Sequence, residues 1–369
     1  MFDESTRKFL QSFGFEEETF EALRRSLIEG ERRNERIKGE VKAKPNGEFF
    51  RLPPSGSAER AHLTEEGERA IREGRVGAVI LAGGMATRFG GVVKAGVEAL
   101  RGESFLGLKL RDLRILAERL ETELPIFIMS SFATHKEVEA LGKRYETDRT
   151  PVHVFPQFVS VRLEENGEIA RDEDGKPMFY APGHGDLSFA LRRSGLLERF
   201  IAGGGELLFM SNVDNLVATL DPAIVGFHLE RQKPITVEVA EKYPGDQGGA
   251  PALVDGRLEI VESFRFPESF DQDRIGVFNT NTFLLEARAI DRDFPLDYFR
   301  VVKKVDGRPV IQFERLVGQL TAFLDTECVI VEREGADARF LPIKTPEDLK
   351  TVGPKVEEAL VARGTLDPA

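Results

Sequence analysis

Tryptophan is absent from the 369 residues and cysteine occurs once, at Cys328. A lone thiol in a CVIV run excludes a disulfide framework, and no Cys/His cluster has zinc spacing. Cys328 is expected inside a buried strand. Positive charge is in deficit, with 51 Lys and Arg against 63 Asp and Glu and a net charge of −12. That argues against nucleic-acid binding, which requires a basic face. No apolar run approaches the ~18 residues of a membrane span. The opening MFDESTRKFL lacks the basic-then-apolar layout of a signal peptide, so a cytoplasmic location is expected.

An apolar share of 41% over this length is enough to bury a large core. The chain is organised around Val76 to Lys94, VGAVILAGGMATRFGGVVK. Val76 to Ala82 is almost wholly apolar, as expected of a parallel strand covered on both faces. It empties into Gly83-Gly84, then Thr87, Arg88, Gly90, Gly91 and Lys94. Glycine removes the Cβ that would keep an anion from the backbone, so successive N–H groups can line a concave anion site. Arg88 and Lys94 would add charge to that geometry. A Walker loop fails on spacing, because Gly91 is followed by Val92. The dinucleotide fingerprint GxGxxG fails too, since the glycines fall at 83, 84, 90 and 91. The bland alternative is a glycine-rich connection with two surface cations.

Along the chain, residues 3–29 read as two helices broken near Gly14. Residues 30–60, which contain Pro53-Pro54-Ser55-Gly56, read as an arm or linker. A helix is expected over 63–74. Leu106, Leu110, Leu113, Ala117 and Leu120 lie at helical spacing after Ser104. Buried strands are expected at 126–129, 152–155 and 207–210, with a helix over 134–145 between the first two. Strands alternating with helices imply a mostly parallel α/β sheet. Residues 164–176 read as an exposed hairpin, and Asp186 as the N-cap of a helix ending at Gly203. Residues 234–285 suggest an antiparallel extension with turns at Asp255-Gly256 and Gly276. Helices are expected near 311–324 and 346–363. The resulting division is an arm and linker over 1–60, a catalytic domain over 61–330, and a C-terminal segment over 331–369 that completes the site.

Four further segments carry candidate chemistry. Ser211-Asn212-Val213-Asp214-Asn215 follows directly on a strand, where ligands of open α/β sheets bind. Asp214 there suits a Mg²⁺ that keeps waters and bridges phosphate oxygens, or it belongs to an Asx-rich turn. Gly183-His184-Gly185-Asp186 stands at a helix start, which favours an anion or a base carbonyl; His184 between glycines has little apolar cover. Asn279 and Asn281 alternate on a strand and are expected on one face, where sugar hydroxyls would satisfy them. Gly248-Gly249 and Glu262 could serve the same sugar. Lys344 leaves the apolar FLPI run just before a helix; alone it would read as surface.

Taken in order, LAGGMATRFG, GHGDLSFAL, FMSNVDNL, QGG, FNTN and FLPIKT resemble the UTP–glucose-1-phosphate uridylyltransferase family (UDP-glucose pyrophosphorylases of eukaryotic type) from about Val76 to Leu349. The resemblance implies a Rossmann-like mixed sheet of the nucleotide-diphospho-sugar transferase type. It also implies attack of a sugar-1-phosphate on the α-phosphorus of UTP, with release of pyrophosphate. By resemblance, Gly83 and Gly84 lie beside the nucleotide, and Arg88, Lys94 and Lys344 act on the triphosphate. Gln157 and Gly183 read uracil, and Asp214 holds Mg²⁺. His184, Asn212, Gly249, Glu262, Asn279 and Asn281 surround the sugar phosphate. By resemblance the FNTN segment favours the glucose branch over the acetylhexosamine branch, and N-acetylglucosamine or galactose phosphate stand as alternative acceptors. The chain departs from the family at Ala86, where glycine is usual, at Val92-Val93, where Gly-Pro is usual, and at Gln247, where lysine is usual. If position 86 needs a positive φ, alanine there would strain the loop, leaving a non-catalytic sugar-nucleotide-binding protein as an alternative. A nicotinamide oxidoreductase is disfavoured by the glycine spacing. The family's C-terminal β-helix, its usual oligomerisation module, is not seen in the sequence, and a monomer, or a dimer formed differently, is expected.

Overall fold

The computed structural model describes residues 2–30, 35–86, 89–243, 246 and 248–368. Among these, the largest sheet has eight strands. Their order is Phe50–Arg51, Thr326–Val331, Ile235–Glu241, Val277–Glu286, Leu207–Asn212, Val76–Leu81, Ile126–Ser130 and Val152–Pro156. Within this sheet, Val277–Glu286 runs against both of its neighbours, while the other pairings are parallel. The mostly parallel mixed sheet expected from the alternating pattern is therefore what forms.

Strand alternation divides the core into two layers. Ala78, Ile80, Leu207 and Phe209 enter one apolar cluster with the Phe105–Arg119 helix. Val79, Leu208 and Met210 enter the other, with Leu187, Leu191 and Leu197. This period of two, with both faces covered, is why the central strand reads as continuously apolar. Helix starts follow the usual chemistry: the Ser104 hydroxyl accepts from the Gly107 N–H at 3.0 Å, and the Ser57 hydroxyl from the Arg60 N–H at 3.1 Å.

The helices Ala58–Arg72 and Pro222–Arg231 cross backbone to backbone. A Cβ on Gly67 would collide with the Pro222 carbonyl oxygen, and one on Gly226 with that of Leu63. Leu63 and Ile224 of these helices enter the same apolar core as Leu207 and Val213.

Several expectations are corrected by the fold. Residues 30–60 are more than a linker in sequence texture: Val41–Ala43 pairs with Ala250–Val254, and Phe50–Arg51 joins the main sheet. Residues 234–285 do not form one antiparallel extension. Ile235–Glu241 and Val277–Glu286 are central strands, and only Ala250–Val254 and Arg257–Val261 lie in the separate three-stranded sheet. Their hairpin turns at Asp255 (φ 48°) and Gly256 (φ 84°), as the Asp-Gly signal indicated. The helix expected near 311–324 is a strand, Arg308–Glu314, followed by the 3₁₀ segment Val317–Ala322; β-branched and aromatic residues at 310–313 favour the extended form. The helix starting at Asp186 breaks at Gly195 (φ 70°) into Leu187–Arg193 and Leu196–Ala202. Cys328 lies fully buried in its strand, and burial pushes its thiol pKa up.

Gly67→Ala or Gly226→Ala is expected to force the two helices apart and cost about 1–3 kcal/mol, the usual range for overpacking. Thermal unfolding of the variants would measure this; an unchanged Tm would mean that the helices do not meet through backbone.

Candidate active site

The carboxyl ends of the four adjacent parallel strands terminate at Leu81, Ser130, Pro156 and Asn212. Gly83 follows the first. A Cβ there would collide with the Gln157 side-chain amide and lie 3.3 Å from the Ser130 carbonyl oxygen. Gly83 is thus required by close approach, and it brings two of the predicted nucleotide residues together. Gln157 is buried, with its N–H donating to the Ser130 carbonyl at 2.9 Å. Gly84 is open, and its carbonyl accepts from the Lys94 N–H at 3.3 Å. Met85–Ala86 pairs with Val92–Val93 as a small antiparallel hairpin. Position 86 is therefore extended rather than left-handed, and alanine brings no backbone strain there. Arg88 and Gln247 lie outside the described residues.

Lys94 is 7% exposed, and among the described residues its Nζ is buried without a hydrogen-bond partner. It sits 3.9 Å from the Phe89 ring centre and 4.0 Å from that of Phe105. Ring quadrupoles support a desolvated cation by about 2 kcal/mol, but do not replace water. Burial accordingly pulls the ammonium pKa down to about 8, against the opposing charges of Asp214 and Asp348.

Asp214 occupies the turn after the Leu207–Asn212 strand. Burial raises its carboxyl pKa, opposed by Lys94, Lys344 and Lys109 in that order. Its carbonyl accepts from the Ile343 N–H at 3.0 Å, which ties the Lys344 segment to the strand end. Asn215, also in the motif, is structural: its Nδ2 donates to the Arg339 carbonyl at 2.9 Å and its Oδ1 accepts from the Leu341 N–H at 3.1 Å. Phe340–Lys344 is an irregular connection rather than a strand. Lys344 is exposed, just before a helix capped by Thr345 and Asp348. Among the described residues no group of three or more His, Cys, Asp and Glu side chains could hold a metal alone. One buried carboxylate is nevertheless the donor set that fits a hard cation whose other ligands are phosphate oxygens and water.

Of the predicted sugar residues, Asn212, Gly249, Glu262, Asn279 and Asn281 come together, while His184 is held elsewhere, against Val317. The Asn281 Nδ2 donates to the Asn212 Oδ1 at 3.0 Å, and the Asn281 N–H to the Asn279 Oδ1 at 2.9 Å. The Asn279 N–H donates to the Gly249 carbonyl at 2.8 Å. A Cβ on Gly249 would lie 2.9 Å from a Glu262 carboxylate oxygen. Simple alternation does not produce this cluster: the ladder is irregular between Glu238 and Val239, and Asn281 has φ 58°. Burial raises the Glu262 pKa, opposed by Arg265.

Gly183 (φ 104°) and Gly185 lie against the Arg315-Leu316 backbone, where a Cβ would come within 2.6 Å and 2.5 Å of main-chain atoms. His184 is more enclosed than its glycine neighbours suggest. Its Nδ1 accepts from the Val317 N–H at 3.1 Å, so the proton sits on Nε2. Burial pulls its pKa down to about 4 and keeps the ring neutral. Asp186 is not an N-cap. It is fully buried and accepts from the Arg315 Nε at 2.6 Å and the Phe158 N–H at 3.0 Å. Burial raises its pKa to about 6, opposed by Arg315.

Sequence reasoning missed Lys109 and Arg315. Lys109, 4% exposed, donates to the Ser211 hydroxyl at 3.0 Å and the Ala218 carbonyl at 2.5 Å, spanning the loop that carries Asp214. Burial pulls its pKa down to about 7. A lysine three residues beyond Leu106, within the apolar stripe, was the available signal. Arg315 had none.

A mixed sheet with a glycine-rich turn, buried cations and an aspartate at its carboxyl edge is the fold of the nucleotide-sugar transferases. The structure resembles the UDP-N-acetylglucosamine pyrophosphorylase of Trypanosoma brucei (TM-score 0.77, 20% identity, 95% of this chain and 79% of that one). It also resembles the UDP-glucose phosphorylase of the same organism (TM-score 0.72, 24% identity, 93% and 76%). The chain belongs to the UTP–glucose-1-phosphate uridylyltransferase family, which it matches over residues 18–358. Curated relatives of that name include those of Encephalitozoon cuniculi (29% identical, 78% of this chain, 59% of the relative) and Saccharomyces cerevisiae (30%, 79% and 61%). Relative 2 of Dictyostelium discoideum is 32% identical over 73% of this chain and 56% of its own. The chain thus spans somewhat over half the length of these relatives. Among the described residues no helix is long and apolar enough to cross a membrane.

Lys94→Met is expected to raise stability at pH 7 by removing an unpartnered buried cation while keeping the ring contacts. The unfolded lysine titrates near ~10.4 and the folded one near about 8. Between these values the unfolded chain binds more protons, so wild-type stability rises with pH. The advantage of the variant should therefore be full below pH 8 and shrink towards pH ~10. Tm measured against pH for both proteins checks this; a variant less stable at pH 7 refutes it.

Proposed function

We propose that the protein transfers a uridylyl group from UTP to glucose-1-phosphate, giving UDP-glucose and pyrophosphate. The observation that carries this reading is the Lys94 ammonium, buried, without a hydrogen-bond partner among the described residues and within the electrostatic reach of Asp214. A cation held dry without a partner is preorganised for an anion that the substrate brings.

Gly83 and Gly84 would admit the nucleotide to the backbone, with Gln157 and Gly183 reading uracil. Lys94, Lys344 and Arg88 would share the triphosphate charge. His184, a neutral donor through Nε2, would meet the sugar phosphate together with Asn212, Asn279, Asn281, Gly249 and Glu262. Asp214 would hold Mg²⁺, which when bound neutralises charge on the phosphates. No protein nucleophile is required. A sugar-phosphate oxygen forms a bond to the α-phosphorus as the bond to the β-phosphate bridging oxygen breaks, in line, and pyrophosphate leaves with that electron pair. The protein's share is alignment and fixed positive charge. The binding-protein alternative rested on strain at position 86, and the extended Ala86 removes its motive.

Pyrophosphate release from UTP and Mg²⁺ should occur with glucose-1-phosphate in preference to galactose-1-phosphate or N-acetylglucosamine-1-phosphate. Lys94→Met and Asp214→Ala should each lower turnover about 10²-fold or more, the usual loss for one preorganised charge contact. Release with another sugar phosphate alone would replace the acceptor; no release with any would sink the transferase reading. Gly83→Ala should displace Gln157 and weaken UTP binding with little change in Tm, measurable by calorimetry beside thermal unfolding.

A further inference from the structure

The helices Glu4–Ser12 and Glu17–Ile28 have no part in the chemistry proposed above, yet one side chain from their junction reaches Arg315, which packs against two of the segments that chemistry uses. Glu16 lies 2.9 Å from the Arg315 Nη2, and it accepts from the Tyr298 hydroxyl at 2.6 Å. The Arg315 side chain is 4% exposed. Its guanidinium is ringed by Phe189 at 4.3 Å, Tyr298 at 4.9 Å and Phe158 at 5.2 Å. Its Nε holds the fully buried Asp186, which in turn takes the N–H of Phe158, the residue after Gln157.

The Arg315 main chain grips the same loop. Its N–H donates to the Pro182 carbonyl at 2.8 Å, and its carbonyl accepts from the Gly185 N–H at 2.9 Å. Gly183, with no Cβ, fits against that carbonyl. Arg315 therefore touches the two segments assigned to uracil, by side chain at Phe158 through Asp186 and by backbone at Gly183.

We propose that Glu16 is a positioning residue for nucleotide recognition, fixing the Arg315 guanidinium and so the relative placement of Gln157 and the Gly183 loop. The inference rests on the uridylyl-transfer reading. Among the described residues the Arg315 Nη2 makes no hydrogen bond, so Glu16 acts on it as a neighbouring charge, while the directional bond of the guanidinium is the one from Nε to Asp186. Without Glu16, one arm of Arg315 loses its charge partner, and Asp186 alone sets its orientation. The arm at the start of the chain then contributes to substrate affinity without touching substrate.

The test is calorimetric titration of UTP into wild type, Glu16→Ala, Glu16→Gln and Tyr298→Phe, with kcat and Tm recorded for each. Glu16→Ala should weaken UTP binding about fivefold, as loss of a partly exposed ion pair allows, with kcat within about twofold because the charges around the phosphates stay put. Glu16→Gln should retain part of the affinity, and Tyr298→Phe should show a smaller loss in the same direction. Sugar-1-phosphate KM should stay unchanged. Wild-type UTP affinity in Glu16→Ala overturns the proposal. So does a parallel loss of Tm, kcat and affinity for both substrates, which would mark a merely structural role. Failure of wild type itself to bind UTP would instead refute the transferase reading.

Discussion

The proposed site depends on a cation that is buried without a hydrogen-bond partner among the described residues. Lys94 is held between Phe89 and Phe105, and Phe105 opens the helix that also carries Lys109. One helix thus fixes both the ammonium left without a partner and the one that spans the Asp214 loop. Folding must bear the desolvation of two lysines in this small region, and burial pulls both pKa values down. The apolar layers on either side of the sheet supply the stabilisation that makes such a cost tolerable. Pairing Lys94 internally would lower the cost and remove the attraction for an incoming anion.

Away from that cation the polar groups are arranged differently. Asn212, Asn279 and Asn281 hydrogen-bond to one another, and Asn215 ties the 339–341 segment to the strand end. Behind them, Arg339 forms a buried fork with Glu238, its Nε and Nη2 at 2.8 Å and 2.6 Å from the two carboxylate oxygens. In the proposed reading, the triphosphate would meet a group without a partner among the described residues, whereas the sugar hydroxyls would meet donors and acceptors already oriented by neighbours. Such fixed amides hold their directions before any ligand arrives.

The sheet and most site contacts were legible because they depend on local rules. Continuous apolar runs marked the parallel strands, Gly83 marked a close approach, and Asp255-Gly256 marked a hairpin. The errors arose where distant partners decide. Asp186 has the composition of a cap, but Arg315, far along the chain, takes its carboxylate. Residues 41–51 look like linker because their strands are short, at two or three residues each, and take their order from neighbours. The Arg308–Glu314 segment has mixed periodicity, and pairing with Phe299–Val305 decides it. Lys109 was hidden by the leucines around it. Ala86 departs from the family pattern, but an extended hairpin strand accepts any side chain.

The irregularity in the Val277–Glu286 strand constrains how the length of this strand can change. Glu238 is opposite Thr282 and Val239 is opposite Asn279, so two residues, Thr280 and Asn281, stand outside the ladder. Strand faces alternate with a period of two. Removing both would heal the ladder and leave Phe278 and Phe283 on their present faces; removing one would leave a one-residue bulge or else turn the residues on one side of the break to the other face. A change of two residues here leaves the flanking strand faces as they are, whereas a change of one must be absorbed by a bulge, so the length of this rim is coupled to the register of the strand.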